Sequence, residues 1–195
     1  MKTPFLAAVI FCASSSLLNA EDARIGGPIA DFTLLDTNAK PVKVSAGNDR
    51  PTVVIFFSTR CPMSNAFNYR RNVLYHDFGD RVKFVMVDAN ANESLEEVRG
   101  YARAVEFDFP VYKDANNVLA DQLGARVTTD TFVIDAAGIL RYHGYMEDSP
   151  SPLWAKIRGL RLAIEAVLDG RPVATPQNKA LGCSIIRTGA VLTTP

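Results

Sequence analysis

The sequence is poor in the residues on which most catalytic and metal chemistry is built. Its 195 residues include three cysteines, two histidines and one tryptophan. The histidines, His76 and His143, lie in separate segments and assemble no hydrolase triad. No phosphate-cradling glycine loop and no internal repeat is present. Neither sign of charge is in excess: 21 Lys and Arg face 21 Asp and Glu, with no basic stripe, which argues against a nucleic-acid partner. The stretch "DANANE" (88–93) has a superficial likeness to a calcium loop. However, Glu93 stands where that loop needs glycine and Arg99 where it needs a bidentate Glu, so a connection into a helix is the better reading.

A long hydrophobic run is missing as well. The most apolar stretch, "FLAAVIFCASSSLL" (5–18), is shorter than the roughly 20 residues a membrane span requires. Preceded by Lys2 and followed by "LNA" before Glu21 and Asp22, it reads as a signal peptide over 1–20, cleaved after Ala20. The expected protein is exported, to the periplasm or beyond, with no stable membrane span after cleavage. Cys12 is a poor lipidation site because the bulky Phe11 precedes it. Cleavage removes Lys2, leaving 20 basic against 21 acidic side chains, and it removes Cys12. Two cysteines remain, Cys61 and Cys183, and in an oxidising compartment two thiols that can meet usually pair.

What is present is an alternation of apolar runs and turns. "DFTLLD" (31–36) and "VKV" (42–44), separated by a turn-rich "TNAKP", predict an entry hairpin. "TVVIFF" (52–57) and "VKFVMVD" (82–88) are unbroken enough for strands buried on both faces. A helix is expected from about Pro62 to Phe78, with Met63, Phe67, Leu74 and Phe78 on one side. Ser94 and Glu97 have capping-box spacing and open another helix. A short strand at 110–113 and a short helix at 117–124 follow, then a hairpin from 130–135 to 139–145 with Gly138 at its turn. A closing helix is expected over about 151–169, with Leu153, Ile157, Leu160, Ile164 and Leu168 inward and Gly170 ending it.

Within this pattern Cys61 stands where a buried strand gives way to a helix. Pro62 suits the first helical turn, where a missing N–H costs nothing. The thiol then faces unpaired amides and the positive end of the helix dipole, with Arg60 adjacent, and each favours the thiolate. The plain alternative is a small buried apolar cysteine.

The order strand, "STRCPMS", helix, strand, helix, "FPVYKDANNVLADQLGA", "TFVIDAAGILRYHG", terminal helix resembles thioredoxin-like redoxins of the alkyl hydroperoxide reductase/thiol-specific antioxidant group. It is most similar to exported members with a Cys-Pro-x-Ser site and a late Gly-Cys, here residues 182–183. The resemblance spans about 25–170 plus that Gly-Cys. It implies an α/β fold of thioredoxin type, a mixed central sheet flanked by helices, and thiol-dependent redox chemistry with Cys61 as the reactive cysteine. The implied partners are a peroxide or disulfide substrate and an external thiol reductant; no cofactor and no metal are implied.

Three departures from the group's patterns stand out. Ser64 replaces the second cysteine of a Cys-x-x-Cys pair, so no adjacent thiol releases a mixed disulfide. Val54 and Ser58 stand where peroxidatic sites carry proline and threonine, leaving the Ser58 hydroxyl as a candidate donor to a peroxide. Thr129 stands where a cis-proline usually faces the cysteine. Arg126, three residues from the expected position, is the candidate cation. The surrounding set is thus Ser58, Arg60, Pro62, Ser64, Arg126 and Thr129.

The remaining question is Cys183. The chain divides into a signal peptide (1–20), a redoxin domain (21–170) and an extended C-terminal tail (171–195) that carries it. Fully extended, the tail from Arg171 to Cys183 reaches about 40 Å, more than twice the roughly 15 Å radius of gyration of such a domain. Three readings stand: a resolving thiol for oxidised Cys61, one half of a fixed structural disulfide, or a free or intermolecular thiol. A non-catalytic binding module is the alternative to an enzyme. It would hold a fixed bridge or a Cu(I) ion through Cys61, Met63, Cys183 and His143, although Met63 suits the core and His143 a solvent-facing strand better.

Overall fold

The computed structural model describes residues 23–189. The signal peptide assigned to 1–20 lies outside the described residues. The chain order is β1 (Phe32–Asp36), β2 (Pro41–Val44), β3 (Thr52–Phe57), α1 (Pro62–Asn65), α2 (Asn68–Phe78), β4 (Lys83–Asp88), α3 (Leu95–Ala104), β5 (Val111–Lys113), α4 (Val118–Leu123), β6 (Thr131–Ile134), β7 (Leu140–Gly144) and α5 (Gly159–Leu168). A single 3-10 turn, Ala115–Asn117, leads into α4. The strands form one sheet in the order β2-β1-β5-β4-β3-β6-β7. β3, β4 and β5 run parallel, while the pairs β3–β6, β6–β7, β1–β5 and β1–β2 are antiparallel.

The unbroken apolar character of β3 has a direct structural cause, since all six of its residues are buried. Alternate side chains leave a strand on opposite faces. Val54 and Phe56 join Leu34, Val85, Val87, Leu119, Leu123 and Phe132 on one side of the sheet. Val53, Ile55 and Phe57 join Phe67, Leu74, Phe84, Met86, Leu160 and Ile164 on the other. A mixed sheet buried on both faces by helices is the architecture the apolar pattern predicts, and it is the thioredoxin-like α/β fold that the resemblance implies. Gly138, at φ +80°, makes the β6–β7 turn in a conformation that disfavours side chains.

Two expected helices are shorter than their periodicity suggests. The segment 62–78 is interrupted at Ala66 and Phe67: α1 is a single turn, and α2 begins at Asn68 with Phe67 as a cap that makes no side-chain bond. The Phe67 ring is buried, so the interruption accompanies burial of that ring rather than a capping signal. The closing helix begins at Gly159 instead of about 151, and Leu153 and Ile157 are exposed rather than inward. Asp148 explains the loop before it, because one carboxylate oxygen accepts the N–H groups of Lys156 (2.9 Å) and Ile157 (3.0 Å). That local bond competes with helical pairing, as short acidic side chains do.

The α3 start is as expected. Ser94 Oγ accepts the Glu97 N–H at 3.1 Å. Ser94→Ala is expected to cost about 1 kcal/mol of stability, read as a lower urea midpoint at unchanged slope.

Beyond α5 the tail runs extended across the sheet end. A parallel bridge joins His143 and Gln177, and an antiparallel bridge joins Val127 and Ser184. Ile185 is buried in the core beside Leu119 and Ala125. Among the described residues no helix is long and apolar enough to cross a membrane.

Candidate active site

Cys61 caps α1 with extended backbone, φ −84° and ψ 113°, and Pro62 occupies the first turn. Its sulfur accepts the Ser64 N–H at 3.4 Å. Because α1 is one turn long, the dipole is weaker than that of a continuous helix through Phe78. Thiolate stabilisation therefore falls to discrete donors within the last few ångströms. Burial pushes the Cys61 thiol up, since the residue is only 2% exposed, but hydrogen bonds to the thiolate outweigh it. They come from the Cys183 thiol and the amides of Ser64 and Cys183, the nearby Thr128 hydroxyl adds its dipole, and the net result is a pKa below that of an ordinary cysteine.

The structure thus brings Cys183 to Cys61. Both are unbonded thiols, Cys61 buried and Cys183 exposed. Cys183 moves in the opposite direction, up to about 11, because its S–H is donated to Cys61 and because its sulfur loses some water and sits beside that negative charge. One sulfur is held as an anion, and its neighbour keeps its proton.

The loop before Cys61 is held from beneath by a carboxylate. Ser58 donates its hydroxyl to Glu93 Oε1 at 2.5 Å and accepts the N–H groups of Arg60 and Cys61, each at 3.1 Å. A hydroxyl has one proton and two acceptor sites, so Ser58 is fully engaged and is not the peroxide donor that its position suggested. The Thr59 N–H donates to Glu93 Oε2 at 2.6 Å. Glu93 is buried, in contact range of Asp88. Asp88 is pushed up to about 7 by burial, against the pull of its ion-pair partner Lys113.

Arg60 turns away from the thiol. Its Nε and Nη2 both bond Glu97 at 2.7 Å, and that pairing, led by the guanidinium hydrogen bond, brings the Glu97 carboxyl down to about 2. The cation that does face the thiol is Arg71. It is 1% exposed and donates to Ser64 Oγ at 3.0 Å and to Asn68 Oδ1 at 2.8 Å. Burial lowers its pKa to about 10, with nearby Tyr101 and Cys61 holding it up, so the guanidinium stays charged at neutral pH. Ser64 links the two: its amide reaches Cys61, and its buried hydroxyl accepts both Arg71 and the Ser58 N–H, the latter at 3.2 Å.

The 126–130 segment is shaped by Asp130, whose Oδ2 accepts the N–H groups of Arg126 (2.7 Å) and Val127 (3.0 Å). The residue directed at the sulfur is Thr128, one position before the expected Thr129. Its buried hydroxyl has no well-formed partner in this geometry and stabilises the Cys61 thiolate from close by. Thr129 instead donates to the Leu181 carbonyl at 2.9 Å, and its backbone is trans. Arg126 is an exposed residue that meets the tail through its carbonyl, which accepts the Ile185 N–H at 2.9 Å.

Met63 is half-buried rather than part of the apolar stripe. His143 Nε2 lies 3.3 Å from Asp130 Oδ1, and its ring stacks on Phe132 at 4.2 Å between centroids. Among the described residues no group of three His, Cys, Asp or Glu side chains is arranged to hold a metal ion.

Sequence reasoning missed Arg71, Glu93 and Thr128. A signal existed for Arg71, because the inner stripe Phe67, Leu74, Phe78 runs through position 71 at helical spacing. A cation in an apolar stripe is expensive unless something opposite repays it.

The AhpC/TSA family profile matches residues 25–143. The thiol-disulfide oxidoreductase ResA of Bacillus subtilis (strain 168) is 26% identical over 144 residues, 71% of this chain and 79% of that protein. A hypothetical protein from Sinorhizobium meliloti 1021 has a crystal structure similar over 87% of this chain and 98% of its own, at 30% identity and a TM-score of 0.77. An uncharacterized conserved protein from Geobacillus kaustophilus is 25% identical, with 86% and 94% covered and a TM-score of 0.78. Fold and thiol site define a thiol-dependent oxidoreductase of thioredoxin type. The chain belongs to the AhpC/TSA family.

Proposed function

We propose that this is an exported thiol oxidoreductase in which Cys61 is the attacking thiolate and Cys183 the resolving thiol. The redoxin domain begins near residue 21, and the tail after residue 170 delivers the second sulfur. The observation that carries this reading is the seating of Cys183 at the Cys61 site, where its carbonyl accepts the Thr128 N–H at 2.9 Å and the two thiols move each other's proton affinity in opposite directions. Export is supported by the basic-apolar-small order of residues 1–20.

With a disulfide RS–SR, Cys61 thiolate attacks one sulfur, forming a Cys61–SR bond and expelling RS⁻. The charge on Cys61 is then gone, and with it the interactions that kept the Cys183 proton in place. Cys183 gives its proton to the expelled thiolate and attacks Cys61 Sγ, which closes Cys61–Cys183 and releases the second RS⁻. With a peroxide ROOH, the Cys61 thiolate attacks the terminal oxygen, the O–O bond breaks, Cys61 is left as a sulfenic acid and the expelled RO⁻ takes a proton from water; condensation with the Cys183 thiol then forms the disulfide and releases water. The protein dithiol is oxidised and the substrate reduced in both cases. An external thiol resets the pair by attacking Cys183, the more exposed sulfur, with Cys61 leaving as the more stable thiolate.

The test is the rate of Cys61 alkylation against pH, followed by peptide mapping after stoichiometric oxidant. Because the Cys61 pKa is lowered, the thiolate persists below the ordinary cysteine range, so alkylation stays fast at pH values where a free thiol has slowed. One molar equivalent of peroxide or small disulfide should yield the Cys61–Cys183 link. Ordinary cysteine titration, or a sulfinic acid on Cys61 with Cys183 untouched, would sink the reading.

A further inference from the structure

The tail does more than carry a sulfur to the site. Residues 181–185 lie along the 126–129 segment as an added strand. Thr128 N–H donates to the Cys183 carbonyl at 2.9 Å, Ile185 N–H donates to the Arg126 carbonyl at 2.9 Å, and Thr129 Oγ1 donates to the Leu181 carbonyl. These are the main-chain groups that an extended polypeptide would use to lay a disulfide across Cys61, because strand addition takes its affinity from main-chain bonds to an open edge. Here the chain fills that edge itself.

The added strand is pinned at both ends. Upstream, the Asn178 side chain accepts the Tyr145 N–H at 2.8 Å and donates to the Tyr142 hydroxyl at 3.0 Å. Downstream, Ile185 is buried, the Ile186 carbonyl accepts the Ala91 N–H at 2.9 Å, and Thr188 N–H donates to Asn117 Oδ1 at 2.8 Å. Between these anchors Gly182 permits the close approach: a Cβ there would lie 2.8 Å from Thr129 Oγ1 and 3.2 Å from its Cγ2. Any side chain at 182 must push the strand away from the wall it pairs with.

We propose that the docked strand sets the substrate class of the site: it excludes protein disulfides and admits only low-molecular-weight oxidants, small disulfides or peroxides. The inference rests on the thiol-exchange reading above. A protein substrate has to break the tail's bonds before it can make its own, whereas a small disulfide needs only the Cys61 sulfur and borrows no main-chain groups. Cys183 stays within reach of Cys61 for the second step.

The experiment compares single-turnover rate constants of the reduced full chain with hydroxyethyl disulfide and with the disulfides of insulin. Wild type, Gly182→Val and Ile185→Ala are measured side by side, and hydrogen exchange at the Thr128 and Ile185 amides reports strand release. Losing two or three strand bonds should raise the ratio of the insulin rate to the hydroxyethyl disulfide rate about tenfold or more in each variant; the ratio is read because strand release also withdraws the Cys183 donors from Cys61 and slows both substrates alike. The inference is overturned if both variants release the strand and that ratio does not rise. It is also overturned if wild type already shows the ratio of the variants. Inertness of Cys61 toward hydroxyethyl disulfide in all three forms marks a different failure, that of the thiol-exchange reading itself.

Discussion

In Cys183→Ala, steady-state turnover of a small disulfide is expected to fall at least about a hundredfold, while one equivalent of substrate is still consumed in a burst. Cys61 retains the Ser64 amide and the Thr128 hydroxyl, so it still attacks and still forms a mixed disulfide. Release then waits for an outside thiol instead of a neighbour already in hydrogen-bond contact, which forfeits the advantage of proximity. Intact mass should show the Cys61 adduct accumulating. The same variant removes an S–H donor from the thiolate, so the pH profile of Cys61 alkylation shifts upward. In Cys183→Ser the hydroxyl replaces that donor, and the profile should stay closer to wild type although turnover is lost. Unchanged turnover in both variants would show that Cys183 resolves nothing.

Arg71→Met separates reactivity from stability. Arg71 is a buried cation whose hydrogen-bond partners, Asn68 and Ser64, are neutral. Removing an opposite charge from beside a thiolate raises the pKa of the thiol, and alkylation of Cys61 at neutral pH should slow about tenfold or more. Methionine has a similar length and no charge to desolvate, so the unfolding midpoint should hold or rise. Arg71→Lys should recover part of the rate, because it restores charge without the planar contacts to Asn68 and Ser64. A shared loss of rate and midpoint in Arg71→Met would indicate a packing defect. A pH–rate profile identical to wild type would eliminate the electrostatic role.

The parts of the site that were legible in the sequence are those whose meaning is local. Cys61 followed by Pro62 at the end of an apolar run identifies a cap, because capping depends on the two or three residues that follow. Ser94 with Glu97 is legible for the same reason. The continuous helix over 62–78 and the early start of the closing helix were misread because periodicity reports which side chains prefer burial without reporting where the chain bends. Burial of Phe67 and the Asp148 bonds to Lys156 and Ile157 decide those bends. Thr128 and Thr129 illustrate the finest limit. In an extended segment neighbouring side chains point to opposite sides, so an error of one position exchanges the sulfur's partner for the tail's.

By itself the sequence determined the sheet, through the apolar runs at 52–57 and 82–88, and the placement of a thiol where strand meets helix. Tertiary structure alone decided which second sulfur stands beside it, which cation is buried behind it, and which edge the tail covers. The physical reason is separation along the chain. Cys183 lies more than a hundred residues from Cys61, and Glu93 is 35 positions from Ser58. No local propensity encodes contacts at that range; they exist because the core closes on itself and leaves these groups nowhere else to satisfy their bonds.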